Sequence, residues 1–269
     1  MKRSGVNAAA RPVRRTGAPG LDSRRAALEI LIRVEHDRAF ADVVLGRRLP
    51  EFAPRDRRLI TSLVLGVLAW RGRLDYEIAH LCGREIGALE PHVLAILRLG
   101  LYQLRLLTRV AKHAAVDTSV TIAKENDAAR PAAGLINAVL RRAVREPVAM
   151  PERTRDPSGY LAVALSHPRW MVERFIEWFG VDDAERVLAA NNSAAPNVIR
   201  LNLSRGPRGQ IIERLRAEGF DFDNIERLPE TILLNSAPDF ESQAYRDGLF
   251  HAQSEASQLV ARLLAPPAG

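Results

Sequence analysis

Hydrophobic positions recur with the period of an α-helix through the first half of the chain. Residues 59–68 carry apolar side chains at spacings of i, i+1, i+4 and i+5, which predicts a helix with one buried face. Residues 91–107 are apolar nearly all round and predict the central helix of a bundle. Residues 135–144 repeat the one-sided pattern and predict a further helix that begins near Pro131.

Weaker patterns predict shorter helices around these three segments. They lie at residues 22–34, 39–48, 74–81 and 116–128. Asp22 or Ser23 can cap the first of them, because short polar side chains accept hydrogen bonds from free N–H groups at a helix start.

The pattern changes in the second half of the chain. Helices are predicted at residues 168–179, 182–190 and 208–218, and β-strands at residues 197–203 and 231–235. The chain is therefore predicted to be mainly α, with an all-helical bundle followed by a smaller α+β domain.

Composition and pattern together predict five consecutive regions. They are a disordered basic tail at residues 1–21, a helical domain at 22–147, a linker with two prolines at 148–165, a small α+β domain at 166–246, and an amphipathic segment at 247–269 that runs into a Pro-Pro-Ala-Gly turn.

Composition limits the class of protein. An apolar content of 47% and a charged content of 26% are typical of a globular protein. The longest nearly uninterrupted apolar run, residues 59–70, is too short to cross a bilayer, and the basic N-terminus lacks the apolar stretch of a secretory signal. We therefore expect a cytoplasmic protein with no membrane partner.

The single cysteine, Cys82, excludes an internal disulfide and a cysteine-based metal cluster. A lone cysteine beside His80 is a candidate for an activated nucleophile. We expect a small buried side chain at a helix end instead, because free cysteine is among the most buried residue types.

The charge points to nucleic acid. The net charge is +7, and 36 of the 39 basic residues are arginines. A guanidinium pairs two-pronged with phosphate and stacks on bases, so this composition suits an RNA or DNA partner, although codon bias also produces arginine-rich chains. Arg98, Tyr102 and Arg105 share one helix face, where they either contact RNA or extend from a buried helix to its rim; the apolar surroundings favour the second reading.

Several stretches resemble a known family. DRRLITSLVLGVLAWRGRLD, LRLGLYQLRLL, KHAAVDTSVTIAK and GLINAVLRR are similar to the NusB-type helical domain. That domain occurs as a free transcription antitermination factor and at the N-terminus of Sun/Fmu (RsmB)-type ribosomal RNA cytosine-C5 methyltransferases. SHPRWMVERFIEWFG, the RLN stretch at residues 200–202 and GLFHAQSEASQLVARLLAPPAG resemble the segment that joins this domain to the methyltransferase domain. The chain thus resembles the N-terminal part of such a 16S ribosomal RNA methyltransferase.

The resemblance also implies what should follow the Pro-Pro-Ala-Gly turn. In that family, a Rossmann-like domain binds S-adenosylmethionine through a glycine-rich loop and carries two catalytic cysteines. No G-x-G-x-x-G follows a strand in this sequence, and no cysteine lies after Cys82. We therefore expect residues 247–269 to lead into a missing domain. We also expect this chain to hold no cofactor, metal or catalytic residue, and to be inactive alone.

The function implied is binding and positioning of small-subunit ribosomal RNA. The candidate contacts are Arg24, Arg25, Lys112, Arg141, Arg142, Arg145, Arg200 and Asn202. The alternative is an antitermination factor of the free NusB type, which does not need the second half of the chain. The apolar residues of the segment 254–264 also predict hydrophobic self-association, because a large bare patch favours contact between copies.

Overall fold

A computed structural model describes residues 20–193, 195–224 and 228–264. The chain divides into two compact units that meet in the sequence at Asn192 and Ser193. Most of the predicted basic tail lies outside the described residues, and its last residue, Leu21, already begins the first helix.

Unit 1, which ends at Asn192, is helical, as the periodicity predicts. Its helices are α1 (Leu21–His36), α2 (Ala41–Arg48), α3 (Pro54–Ala69), α4 (Arg71–Cys82), α5 (Pro91–Leu106), α6 (Lys112–Glu125), α7 (Ala133–Arg145), α8 (Pro157–Ala164), α9 (Arg169–Phe179) and α10 (Val181–Asn191). The expected positions of the bundle helices are confirmed to within a few residues.

Helix α5 forms the centre of unit 1. Every residue from 93 to 103 is buried, and the helix packs against α1, α3, α4, α6 and α7. Where α3 crosses α5, Gly66 lies directly against the buried ring of Tyr102. A Cβ atom at Gly66 would lie 2.1 Å from the Tyr102 hydroxyl oxygen, so the close approach of these helices requires glycine.

The segment predicted as a linker is partly helical. Helix α8 falls inside residues 148–165, and Asp156 caps it by accepting a hydrogen bond from the backbone N–H of Gly159. Leu161 is fully buried in a small core with Val172 of α9 and Leu188 of α10. Helix α8 also packs against α4, so α8, α9 and α10 belong to unit 1, which ends at residue 192.

Unit 2 is the smaller α+β part. Its elements are β1 (Asn197–Leu201), α11 (Arg208–Ala217), β2 (Phe222–Asn224), β3 (Thr231–Leu234), α12 (Gln243–Arg246), β4 (Phe250–Ala252) and α13 (Glu255–Leu264). The strands form one antiparallel sheet in the order β2-β3-β1-β4, so two β-α-β segments interleave. Ile199, Leu201 and Phe250 face a core shared with α11 and α12.

Residues 247–264 belong to unit 2, and their prediction as a lead-in to another domain remains a prediction. Strand β4 pairs with β1, with Leu201 opposite Phe250. Helix α13 is attached to β3 because the buried hydroxyl of Thr231 donates a 2.8 Å hydrogen bond to Oε1 of Gln258. Residues 265–269, with the Pro-Pro-Ala-Gly turn, lie outside the described residues.

Candidate nucleic-acid interface

A basic groove in unit 1 brings together three of the eight predicted RNA contacts. Lys112, at the start of α6, and Arg141 and Arg145, in the last turns of α7, line a concavity of about 470 Å³. Val116 and Val144 contribute apolar side chains to the same lining. The groove therefore combines cations, which suit the phosphates of an RNA strand, with an apolar surface, which suits its unstacked bases.

The periodicity of α7 places these arginines. Ile136, Val139, Leu140 and Ala143 are buried against the bundle, so the positions between them face outward. Arg141 and Arg145 are four residues apart and share the outer face. Helix α6 packs alongside α7, which brings Lys112 to the same groove.

The three cations of the groove are available to an anion. Arg141 donates from Nε to Oδ1 of Asn137 at 2.9 Å, a neutral partner that leaves its charge uncompensated. Within the ranges that the structure describes, no ion pair involves Lys112, Arg141 or Arg145. Asp117 and His113 also line the groove. The lining thus carries an excess of positive charge.

The N-terminal end of α6 adds to this positive potential. Lys112 is the first residue of the helix, and Ala111 before it provides no side-chain cap for the first-turn N–H groups. Free N–H groups and the helix dipole both favour an anion at such an end.

Three other predicted contacts in unit 1, Arg24, Arg25 and Arg142, form hydrogen bonds or ion pairs with other parts of the chain. Arg24 is buried; its Nε donates to Oε1 of Gln103 at 2.6 Å, and burial lowers its pKa below the ordinary guanidinium value. Arg25 pairs two-pronged with Glu125 at 2.9 and 2.8 Å and also pairs with Asp22. The structure does not bring either arginine to the groove.

Arg142 is adjacent in sequence to Arg141 but makes different contacts. Its Nη1 donates to the carbonyl of Leu81 at 3.0 Å, and its Nε donates to Glu146 at 2.7 Å. The first of these bonds ties α7 to the end of α4. We therefore regard Arg142 as a residue that links α7 to α4.

The arginines of the central helix are structural. Arg98 is buried and pairs two-pronged with Asp75 at 2.6 and 2.9 Å, with a further ion pair to Glu35. Arg105 pairs with the buried Glu77. Cys82 ends α4 and packs against the core, where burial raises the pKa of its thiol, opposed by the nearby charge of Arg84.

The two predicted contacts in unit 2 line a second concavity. Arg200 and Asn202 border a space of about 630 Å³ together with Ser204, His251 and Gln253. Both polar atoms of the Asn202 side chain bind within unit 2: its Nδ2 donates to the carbonyl of Gly248 at 3.0 Å, and its Oδ1 accepts from the Ser204 hydroxyl at 2.6 Å.

Sequence reasoning missed His113, His251 and Gln253. All three lie in stretches that carry the family resemblance, but no local pattern marks them as contacts, and each joins its site only through packing. His251 is placed beside Arg200 by the pairing of β1 with β4.

Comparison with known families agrees with this architecture. Residues 21–145 match the NusB family, and residues 167–241 match the ferredoxin-like domain of RsmF/B-type methyltransferases. The strand order of unit 2 is that of a ferredoxin-like sheet. The chain therefore matches a NusB domain followed by the ferredoxin-like domain of RsmF/B-type methyltransferases, and the resemblance read from the sequence is confirmed.

The relatives are named as methyltransferases. The chain is 33% identical over 247 residues to ribosomal RNA small subunit methyltransferase B of Pseudomonas putida, covering 91% of this chain and 55% of that protein. It is 29% identical over 245 residues to the probable enzyme of the same name from Bacillus subtilis, covering 90% of this chain and 54% of the relative. A putative methyltransferase of Mycobacterium tuberculosis is 36% identical over 261 residues, covering 90% and 54%. The chain spans about half the length of these relatives.

A solved structure supports the fold. The crystal structure of PH0851 superposes with a TM-score of 0.67 at 18% identity, covering 95% of this chain and 58% of that one. Among the helices in the described residues, none has the length and apolar character needed to cross a membrane.

Proposed function

We propose that this chain binds and positions small-subunit ribosomal RNA for cytosine-C5 methylation by an RsmB-type enzyme. The observation that carries the proposal is the groove of Lys112, Arg141 and Arg145, whose charges are not neutralised by ion pairs within the described ranges. The names of the relatives point to small-subunit ribosomal RNA and methyl transfer, and the family resemblance implies cytosine C5 as the methylated atom.

The groove acts mainly on the RNA backbone. The two guanidinium groups and the ammonium contact phosphates, which fixes the position of the strand without reading its sequence. The partly exposed Val144 offers an apolar surface to a nucleobase that is not paired. Binding of this kind weakens as salt rises, because each neutralised phosphate releases a counterion.

The family resemblance implies S-adenosylmethionine as the methyl donor. Its usual site is a glycine-rich loop between a parallel strand and a helix. The described sheet is antiparallel throughout, and the segment between β1 and α11, residues 202–207, contains a single glycine. The described residues do not fit this cofactor, so we assign no contact with it to them.

The antitermination alternative is not favoured. A free NusB-type factor needs only the first domain, whereas this chain continues into the match to the RsmF/B-type domain at residues 167–241.

The proposal is tested by the salt dependence of RNA binding. Anisotropy of a fluorescein-labelled, single-stranded oligonucleotide with small-subunit ribosomal RNA sequence is measured at several KCl concentrations. Lys112→Gln/Arg141→Gln/Arg145→Gln should lower affinity and reduce the slope of log K against log[KCl] by about 2, since each lost phosphate contact removes about 0.7.

A charge-matched control separates local contacts from net charge. Arg33→Gln/Arg58→Gln/Arg186→Gln removes three exposed arginines from α1, α3 and α10. We expect this control to retain most of the affinity and the wild-type slope. Equal losses in both triple variants would contradict a specific role for the groove.

We also propose that copies of the chain associate through α13. Leu263 and Leu264 are 84% and 75% exposed, and Leu259 and Val260 lie beside them. Sedimentation velocity should show concentration-dependent association that Leu263→Gln/Leu264→Gln abolishes. A wild-type chain that sediments as a monomer throughout would contradict this.

A further inference from the structure

The sheet of unit 2 carries two basic side chains opposite one another on its outer face. Arg200 on β1 and His251 on β4 are direct partners across the strand pair, and both are exposed. Successive residues of a strand alternate between faces, so Ile199 and Leu201 enter the core with α11 and α12 while Arg200 points the other way. Partners directly opposite have Cβ atoms about 5 Å apart.

Helix α13 borders this pair on the other side. Thr231, the partner of Arg200 on β3, donates to Gln258 of α13. The backbone N–H of Gln253, just before α13, donates to the carbonyl of Val198 on β1 at 3.2 Å. Arg200 therefore lies between α13 and His251, in the concavity of about 630 Å³.

The positive charge of this concavity is not compensated internally. Across the described part of unit 2, no side chain forms an ion pair or hydrogen bond with the guanidinium of Arg200. Glu230 also lines the space, but it pairs with Arg262 at 2.9 Å. Two basic groups directly opposite repel each other when both are charged, whereas an anion between them attracts both.

Asn202 has a different role from Arg200. Its amide bonds to Gly248 and Ser204, and these bonds hold the short turn at residues 203–205 against the strand end. Asn202 is therefore a positioning residue that shapes one wall of the concavity.

We propose that Arg200 and His251 form a phosphate-binding subsite on unit 2, separate from the groove of unit 1, and that its occupant is a backbone phosphate of the bound RNA. The inference rests on the proposed function for the identity of the RNA. The guanidinium supplies a two-pronged pair of N–H donors that matches two phosphate oxygens, and the imidazole supplies a further donor. Gln253 and Ser204 at the rim are polar neighbours of the phosphate.

The test uses the full chain and the same labelled RNA. Arg200→Gln should weaken binding about tenfold and reduce the salt slope by about 0.7, as one lost phosphate contact does. His251→Gln should weaken binding by a smaller factor. Arg246→Gln is the matched control, because Arg246 is exposed on α12, which packs on the other face of the sheet; its affinity should remain that of the wild type. Thermal unfolding followed by circular dichroism verifies that each variant folds.

Orthophosphate distinguishes the source of the phosphate. Millimolar orthophosphate is added to the protein while the His251 imidazole resonances are followed by NMR at constant pH and ionic strength. A shift that is lost in Arg200→Gln, with RNA binding unaffected by that substitution, would retain the phosphate subsite but overturn RNA as the source of its phosphate. No shift together with unchanged RNA affinity in Arg200→Gln would overturn the inference.

The groove variants keep the two proposals apart. If Lys112→Gln/Arg141→Gln/Arg145→Gln loses RNA binding while Arg200→Gln and the orthophosphate titration show no effect, only the inference about unit 2 fails. If the triple variant also binds RNA like the wild type, the proposed function of the groove fails as well.

Discussion

The carboxylate of Glu77 on α4 accepts a 2.8 Å hydrogen bond from Nε of Arg105 on α5. Glu77 is only 1% exposed, and it also accepts from Nε of Arg73 at 3.1 Å. A buried carboxylate is tolerated only when paired, so the two arginines together allow this acid inside the bundle.

The two partners should respond unequally to substitution. Arg105→Met leaves the charge of Glu77 buried with one partner, and we expect a loss of about 3 kcal/mol in the free energy of unfolding. Glu77→Gln removes the buried charge and lets the partly exposed arginines turn to water. We therefore expect a loss of only about 1 kcal/mol in the free energy of unfolding. All three tryptophans (Trp70, Trp170 and Trp178) lie in unit 1, so urea unfolding followed by tryptophan fluorescence reports on this unit. Equal losses in the two variants would contradict this account.

Gly66→Ala should destabilise unit 1. The new methyl group would meet the buried ring of Tyr102, and overpacking of this kind costs about 2 kcal/mol. Gly46→Ala on α2 is the control, because a Cβ there meets no atom within 4 Å and alanine favours the helix by up to about 1 kcal/mol. Thermal unfolding by tryptophan fluorescence should rank Gly46→Ala at or above the wild type and Gly66→Ala well below it. A wild-type midpoint for Gly66→Ala would argue against this helix contact.

Substitutions of Arg141 and Arg142 should affect different properties, RNA affinity in the first case and stability in the second. Arg142→Gln removes the hydrogen bond to the Leu81 carbonyl, which we expect to cost about 1 kcal/mol while RNA affinity stays within about twofold. Arg141→Gln should lower RNA affinity and leave the unfolding midpoint unchanged. The two measurements are the anisotropy titration and urea unfolding. The reverse assignment of effects would contradict the groove geometry.

Cys82 should react slowly with thiol reagents. Burial raises its pKa, and the reactive form is the thiolate, so a smaller fraction is reactive at a given pH than in an exposed cysteine. The rate of reaction with Ellman's reagent should therefore rise at higher pH than the rate for glutathione, and unfolding in urea should remove the difference. A rate profile displaced to lower pH than that of glutathione would indicate an activated thiol instead.

Gln258→Ala should loosen unit 2. The hydroxyl of Thr231 is fully buried and would lose its acceptor, which costs about 1–3 kcal/mol. Hydrogen exchange of the β3 amides, measured by NMR, should become faster in this variant. Leu263→Gln is the control because that side chain is largely exposed and should leave the exchange rates unchanged. Unchanged protection in Gln258→Ala would mean that α13 does not stabilise the sheet.

The sequence by itself determined where most helices and two of the strands lie. The apolar side chains of residues 91–107 lie nearly all round the helix, and this is enough to place α5 at the centre of the bundle, because so hydrophobic a helix has no broad face for water. The short strands β2 and β4 and the helices α8 and α12 were not predicted. Segments of three to eight residues carry too little periodicity, and pairing or packing with distant residues defines them.

Only the tertiary structure decided which arginines are free. Arg25 meets Glu125, which is 100 residues away in the sequence, and Arg24 meets Gln103, which is 79 residues away. Arg141 and Arg142 are neighbours in the chain, yet one lines the groove and the other is bound to α4. Local pattern indicates that a side chain is basic and which face it occupies. Whether its charge is already satisfied depends on partners that only folding brings within hydrogen-bonding distance.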